Sequence, residues 1–343
     1  MTSKSNKQNP IPVTIVTGFL GSGKTTLLNH MLTSEHGIKI GVLVNDFGAI
    51  NVDADLISEV DDGVMSLANG CICCSIRTDL IQAVLKLVDL PEPPQHIIIE
   101  ASGVADPAGI LDSFHDPGIW KSVVIDGVIT VVDAEQALFI PAEERKLANA
   151  QVKGGDLILL NKADLVSKEV RQNVKGWLSE VRPGVQIFET IMCQLPMEIL
   201  LGAFRENSPE GNSEKSLNIH VQELKAEKEE HHHHHHHQHD LMFDTWSYTS
   251  FKPIQIILFN ELLKNLPSTL FRAKGFLYAA DQPDKPILFQ LVGKRATLKA
   301  TGSWGEAPPK TQLVFIGRHE TVNFSAIENA LRKFEQFKEE HLD

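Results

Sequence analysis

The eight residues Gly18-Phe19-Leu20-Gly21-Ser22-Gly23-Lys24-Thr25 constrain this chain more than any other stretch. They fit G-x-x-x-x-G-K-[ST] and stand between a β-branched run at 13–17 and a stretch at 26–32 able to be helical. Glycines there let backbone N–H groups converge on phosphate oxygens, and a helix starting directly afterwards turns its positive end to the same point. Lys24 is then placed to reach β- and γ-phosphate oxygens and Thr25 to hold Mg²⁺, with Gly18, Gly21, Ser22, Gly23 and Thr26 completing the loop.

A phosphate loop between strand and helix requires an α/β sheet, and the following sequence supplies one. Short β-branched runs at 13–17, 40–44, 97–99, 128–132 and 157–160 alternate with stretches that can be helical. That alternation predicts a P-loop NTPase domain with a mostly parallel sheet covered by helices on both faces. Residues 77–88 place Leu80, Val84 and Val88 beside Ile81 and Leu85, the apolar stripe of a helix packed on that sheet, with Ser75 as its N-cap. We place this domain at 1–204 and an exposed, charged linker at 205–240, too polar to bury a core. A smaller α+β domain follows at 241–343, with strands near 246–251, 276–280, 287–292 and 313–316 and helices near 254–266 and 324–337.

Charge and composition narrow the function classes. Lys and Arg number 32 against 44 Asp and Glu, a net charge of −12, which argues against a general nucleic-acid binder. The first ten residues are polar and the apolar runs are strand-sized, far short of the ~20 residues a membrane-spanning helix needs. A cytoplasmic chain without membrane partners is the expectation.

Guanine offers an N1–H and an exocyclic amine side by side, so a carboxylate accepting from both discriminates strongly against adenine. Asn161-Lys162-Ala163-Asp164 follows the run at 157–160 and has the N-K-x-D form, with Asp164 in that accepting role and Lys162 flanking the base. GTP is the expected nucleotide. Glu100, closing the apolar run at 97–99, is a candidate to orient the attacking water or Mg²⁺, and Asp133 stands at a similar strand end. Asp46, after the run at 40–44, is a candidate sensor of Mg²⁺ or the γ-phosphate.

Cys71, Cys73 and Cys74 crowd into one stretch too tight for ordinary disulfide pairing. Thiolates are soft ligands suited to Zn²⁺ or Co²⁺, and a helix starting just after them favours deprotonation. His231, His232, His233, His234, His235, His236, His237 and His239 form a run without fixed spacing, suited to collecting metal loosely rather than selectively. Cys193, alone among apolar neighbours, reads as a small core residue.

Taken in order, the P-loop, Asn45-Asp46-Phe47-Gly48, Gly70-Cys71-Ile72-Cys73-Cys74, Glu100-Ala101-Ser102-Gly103-Val104-Ala105-Asp106-Pro107 and Asn161–Asp164 resemble the CobW-like family of metal-handling GTPases. Arg272-Ala273-Lys274-Gly275 and Phe315-Ile316-Gly317-Arg318 resemble that family's C-terminal domain. The resemblance implies GTP hydrolysis coupled to delivery of a transition metal, commonly zinc or cobalt, to a client protein or cofactor pathway. This chain departs from the family where many relatives carry N-E-F-G-E: Asp46 is one methylene shorter and Ala49 cannot ligate. A tetrahedral ion on the three thiols then needs a fourth ligand from elsewhere or from the client. No residue is a clear arginine finger, Arg77 being the candidate, so hydrolysis is expected to be slow without a partner. Two other functions compete with this one: a zinc buffer with a vestigial nucleotide site, and a signalling switch with inert cysteines.

Overall fold

In the computed structural model, which describes residues 9–34, 37–45, 64–67, 75–202 and 243–335, β1 (Ile11–Thr17) is wholly buried at the centre of the first sheet. Around it run β2 (Ile40–Asn45), β3 (Val64–Leu67), β4 (His96–Glu100), β5 (Val123–Asp133), β6 (Leu157–Asn161) and β7 (Gln186–Glu189), in the spatial order β3-β2-β4-β1-β5-β6-β7. Every neighbouring pair is parallel. Their side chains alternate between two apolar layers: Val16 and Ile98 face one, and Val13, Ile15, Ile97 and Ile99 the other.

The first layer is filled by Leu27, Leu28 and Met31 of α1 (Lys24–Thr33). The second is filled by Leu80, Val84 and Leu87 of α2 (Ser75–Val88) and Ile110 of α3 (Pro107–Ser113). Beside them, α4 (Ala142–Gly154) and α5 (Lys168–Val181) bury Val152, Val174 and Leu178 against β5 and β6. The short α6 (Met197–Leu201) adds Ile199, Leu200 and Leu201 to the first layer. Ser75, expected as a cap, is the first helical residue of α2.

Beyond residue 242 lies a second, antiparallel sheet. β8 (Phe243–Ser250), β9 (Leu270–Tyr278), β10 (Pro286–Val292), β11 (Arg295–Ala300) and β12 (Thr311–Arg318) take the order β11-β10-β9-β12-β8. Phe259 of α7 (Ile256–Lys264) and Ile327 and Leu331 of α8 (Phe324–Phe334) cover one face. Sequence reading did not foresee β11, β3 or β7, and it placed the start of β9 at 276 instead of Leu270. Polar Arg295-Ala-Thr-Leu-Lys-Ala300 carries little apolar signal, and burial of Arg272 on a facing domain is not legible in a period-2 pattern.

The other face of this sheet packs on the first domain. Phe271, Val292 and Ile316 join the same apolar layer as α1, and Phe271 meets Phe188 edge-on with ring centroids 5.0 Å apart. Two β-bulges meet here. Opposite β12 the register skips Phe271, so Phe271 and Arg272 both turn toward the first domain; opposite β1 it skips Asp126.

Arg272 Nη2 lies 2.8 Å from Asp126 Oδ2, each side chain only 2% exposed. The same guanidinium donates to the Leu200 carbonyl at 3.0 Å, passing Gly202, where a Cβ would fall 2.5 Å from Nη1. Gln290 Nε2 donates to Asp126 at 3.3 Å, and Thr14 Oγ1 bridges Asp126 and His96. A second buried carboxylate, Asp156, accepts from Arg295 Nε at 2.5 Å, Arg182 Nη2 at 3.1 Å and the Val128 N–H at 3.0 Å.

Burial pushes the Asp126 carboxyl up, but Arg272, His96 and Lys274 pull it down by more, leaving it below its ordinary value. Its contribution to stability is therefore present above the unfolded carboxyl pKa of ~3.9 and lost as pH falls through the lower folded value. Asp126→Ala strands a buried guanidinium and is expected to cost about 3–5 kcal/mol, whereas Asp126→Leu with Arg272→Met recovers most of that. Chemical denaturation followed by circular dichroism reads both.

Candidate functional site

The carboxyl ends of β1, β4, β5 and β6 converge where a doubly wound sheet places its ligand crevice. From β1 the chain enters the P-loop with Gly18, Gly21 and Gly23 at φ of 140°, 73° and 108°, a region other residues rarely adopt. Contact adds to that demand at two of them. A Cβ on Gly18 would lie 2.1 Å from the Val131 carbonyl oxygen, and one on Gly23 2.5 Å from Asn161 Nδ2.

α1 starts at Lys24 with no side-chain cap and no acid in its own first turn, and its positive dipole end faces the crevice. Lys24 is buried, its Nζ 3.3 Å from the Phe19 carbonyl, and Thr25 and Thr26 are half-buried behind it. Under the loop, the hydroxyls of Thr17 and Ser22 are buried without a hydrogen-bond partner among the described residues. A glycine-rich turn leading into a helix N-terminus, with a buried lysine and the Thr17 and Ser22 hydroxyls beneath it, fits phosphate oxygens, and the hard oxygens of Thr25 and Glu100 fit Mg²⁺.

Glu100 ends β4, 3% exposed, opposite Val16 of β1, so the P-loop strand and the acid leave the sheet side by side. Asn161 ends β6 in the same row. It does not face a base: its Nδ2 donates to the Ser22 carbonyl at 3.0 Å, and its Oδ1 accepts the Cys193 N–H at 2.9 Å and the Thr190 hydroxyl at 3.4 Å. Asn161 thus ties the P-loop to the loop after β7.

Lys162 takes φ 59° and reaches back to Asp133, Nζ to Oδ2 2.6 Å, while Asp133 Oδ1 caps the next turn through the N–H groups of Glu135 and Gln136. Asp164 lies exposed in the short 3-10 turn Ala163–Leu165, free to meet a ligand. Arg171 on α5 braces that turn by donating to the Ala163 and Val166 carbonyls at 2.9 and 2.8 Å, and is itself paired with Glu189.

Thr190, Arg171, Cys193 and the partner role of Asp133 escaped sequence reading, because none belongs to a motif and their contacts cross the sheet. Cys193 is indeed buried, but it packs on the P-loop, its thiol 3.3 Å from the Gly23 carbonyl. Asp46, Cys71, Cys73, Cys74 and the histidines of 231–239 lie outside the described residues. Among the described residues no group of three His, Cys, Asp or Glu side chains could hold a metal ion, and no helix is long and apolar enough to cross a membrane.

Removing the Asn161 amide leaves the Ser22 carbonyl and the Cys193 N–H without their partner, a loss of about 1–3 kcal/mol. Asn161→Ala is accordingly expected to weaken nucleotide binding about ten- to a hundredfold in a fluorescent-nucleotide titration. Burial pushes the Cys193 thiol up to about 12, so roughly one in ten thousand is thiolate at pH 8. Cys193 should resist iodoacetamide in the folded protein and react on unfolding, as read by peptide mass mapping.

Comparison with known proteins places this geometry in a family. Residues 12–189 match the CobW/HypB/UreG nucleotide-binding domain, and residues 243–335 match the cobalamin synthesis protein cobW C-terminal domain. The chain is 33% identical over 358 residues to the zinc chaperone CobW of Sinorhizobium sp, covering 93% of this chain and 96% of that one. It is 30% identical to the zinc chaperone YjiA of Escherichia coli, covering 90% and 94%. With the zinc-regulated GTPase metalloprotein activator 1 of Dictyostelium discoideum the identity is 29%, over 86% and 68%. With the P-loop fold matched over 12–189 and the second domain over 243–335, one assignment follows: the chain belongs to the CobW/HypB/UreG family of P-loop nucleotide-binding proteins and carries the CobW C-terminal domain.

Proposed function

We propose that the chain is a GTP-hydrolysing metallochaperone that binds zinc, or a related ion such as cobalt, at Cys71, Cys73 and Cys74 and passes it to a client metalloprotein. The carrying observation is the Asn161 clasp: Asn161, three residues before Asp164, donates to the Ser22 carbonyl of the P-loop and so sets a phosphate cradle beside the candidate base-reading carboxylate. In this reading Gly18, Gly21, Ser22, Gly23, Lys24, Thr25 and Thr26 hold the phosphates. Lys162, steadied by Asp133, flanks the guanine, and Asp164 accepts from its N1–H and amine. Mg²⁺ held by Thr25 would supply positive charge to the β- and γ-oxygens, with Glu100 orienting the water and Asp46 answering to the γ-phosphate.

Support for zinc comes from soft thiols and from relatives named zinc chaperones that align over nine-tenths of this chain. Residues 68–74, which include the three cysteines, separate β3 from α2 in sequence, and Leu67 at the end of β3 pairs with Asn45 of β2. The cysteines therefore follow a strand that ends at the same carboxyl edge as the P-loop and Glu100. Metal affinity that changes with nucleotide is thermodynamic coupling and works in both directions.

The test is Zn²⁺ affinity by chelator competition in nucleotide-free, GDP-bound and non-hydrolysable-GTP-bound protein lacking residues 231–239. A change of about tenfold or more, 1.4 kcal/mol of coupling, that disappears in Cys73→Ser/Cys74→Ser is the expected result. An affinity indifferent to nucleotide makes the protein a buffer or an ordinary switch and overturns the carrier reading. Asp164→Ala should lower the preference for GTP over ATP by about a hundredfold in competition against a labelled guanine nucleotide.

A further inference from the structure

Between Glu100 and α3 the chain makes a short loop, 101–106, that the motif analysis left without a role beyond its resemblance. The loop begins on β1, with the Ala101 N–H donated to the Val16 carbonyl at 2.8 Å, and it ends as the cap of α3, where Asp106 accepts the Ala108 N–H. In front, Gly103 is pressed on the P-loop: a Cβ there would lie 2.6 Å from Leu20 Cδ2 and 2.8 Å from the Leu20 nitrogen. Behind it stands Gln151 of α4, 1% exposed, whose Nε2 donates to the Gly103 carbonyl at 2.9 Å and the Ala105 carbonyl at 3.2 Å.

Gln151 is itself held in place. Its backbone carbonyl accepts the Thr130 hydroxyl of β5 at 2.9 Å, one residue before Val131, whose carbonyl backs Gly18. At the end of α4, Gly154 approaches Pro107 so closely that a Cβ would fall 2.7 Å from its ring. A cavity of about 30 Å³, lined by Phe19 and Leu20 of the P-loop and by Gln151 and Val152 of α4, separates the two. One buried amide therefore spans the only two carbonyls of the 101–106 loop that face α4 with a side-chain donor among the described residues.

We propose that Gln151 is a positioning residue for hydrolysis: it holds the Gly103 peptide against the P-loop, so that the loop carrying the chain on from Glu100 takes its reactive arrangement. The proposal rests on the GTPase reading above. In a trans peptide the N–H points opposite the C=O, so a Gly103 carbonyl turned to Gln151 sends the Val104 N–H away from α4, where it becomes a donor available to a phosphate. Val104 itself is half exposed. Displacement of such a donor by about 1 Å is enough to change a rate a hundredfold while leaving the rest of the nucleotide site intact.

The experiment compares steady-state GTP turnover with the affinities for labelled GDP and a labelled non-hydrolysable GTP analogue, in the full chain and in Gln151→Leu and Gln151→Asn. Gln151→Leu is expected to lower kcat about tenfold or more and to weaken the GTP analogue, with GDP affinity changed by less than about twofold. Gln151→Asn keeps the amide on a shorter arm and should fall between. A folded Gln151→Leu with wild-type kcat overturns the proposal, as does a parallel loss of GDP affinity, which is what a merely structural role would produce. Should Gln151→Leu fail to fold, Thr130→Val, which leaves the amide but frees α4 from β5, carries the same comparison with an expected loss of about threefold. Absence of turnover in the wild-type chain would instead remove the GTPase reading, and the proposal with it.

Discussion

A guanidinium and a carboxylate, both almost fully removed from water, hold the two domains of this chain in one arrangement. Arg272 and Asp126 can occupy that position only because each side of the interface breaks its own regularity. A bulge in β5 turns Asp126 out of the sheet, and a bulge in β9 turns Phe271 and Arg272 together toward it. Desolvating two charges is costly, so the pair is a weak source of net stability but a strict selector of geometry: any docking that separates them leaves a buried charge unpaired. Gln290, Thr14 and the Leu200 carbonyl supply further hydrogen bonds to the pair, while Arg272 Nε is buried without a hydrogen-bond partner among the described residues.

The pair also sits close, along the chain, to the parts that handle phosphate. Thr14 lies in β1 four residues before the P-loop begins at Gly18, and α6, which presents the Leu200 carbonyl, directly follows the loop of Thr190 and Cys193 clasped by Asn161. Described parts of the candidate nucleotide site are thus braced by residues outside them: the P-loop by Asn161 and Gly103, the 163–165 turn by Arg171, and Lys162 by Asp133. Preorganisation of this kind lowers the reorganisation required when charge develops on a transferring phosphoryl group.

Much of this was legible along the chain because it is local. Gly18, Gly21 and Gly23 announce positive φ, Lys24 and Thr25 announce phosphate, and apolar runs of strand length announce a parallel sheet. The second domain was harder to read, because strand β11 is polar and β9 buries an arginine, so period-2 alternation gave a weak or misleading signal there. Asn161 was read as part of a base motif, whereas its amide is spent on Ser22, Cys193 and Thr190.

What the sequence by itself determined is the chemistry on offer: a phosphate cradle, an acid in an N-K-x-D segment, a strand-end glutamate and three soft thiols, each set by residue type and short spacing. What only the tertiary structure decided is which distant residues steady that chemistry. Gln151 stands 48 residues from Gly103 and Asn161 139 from Ser22, while Arg272 lies in the second domain and Asp126 in the first. Such pairings depend on strand order and on bulges, which follow from the packing of the whole chain and leave no periodic trace in the residues that meet.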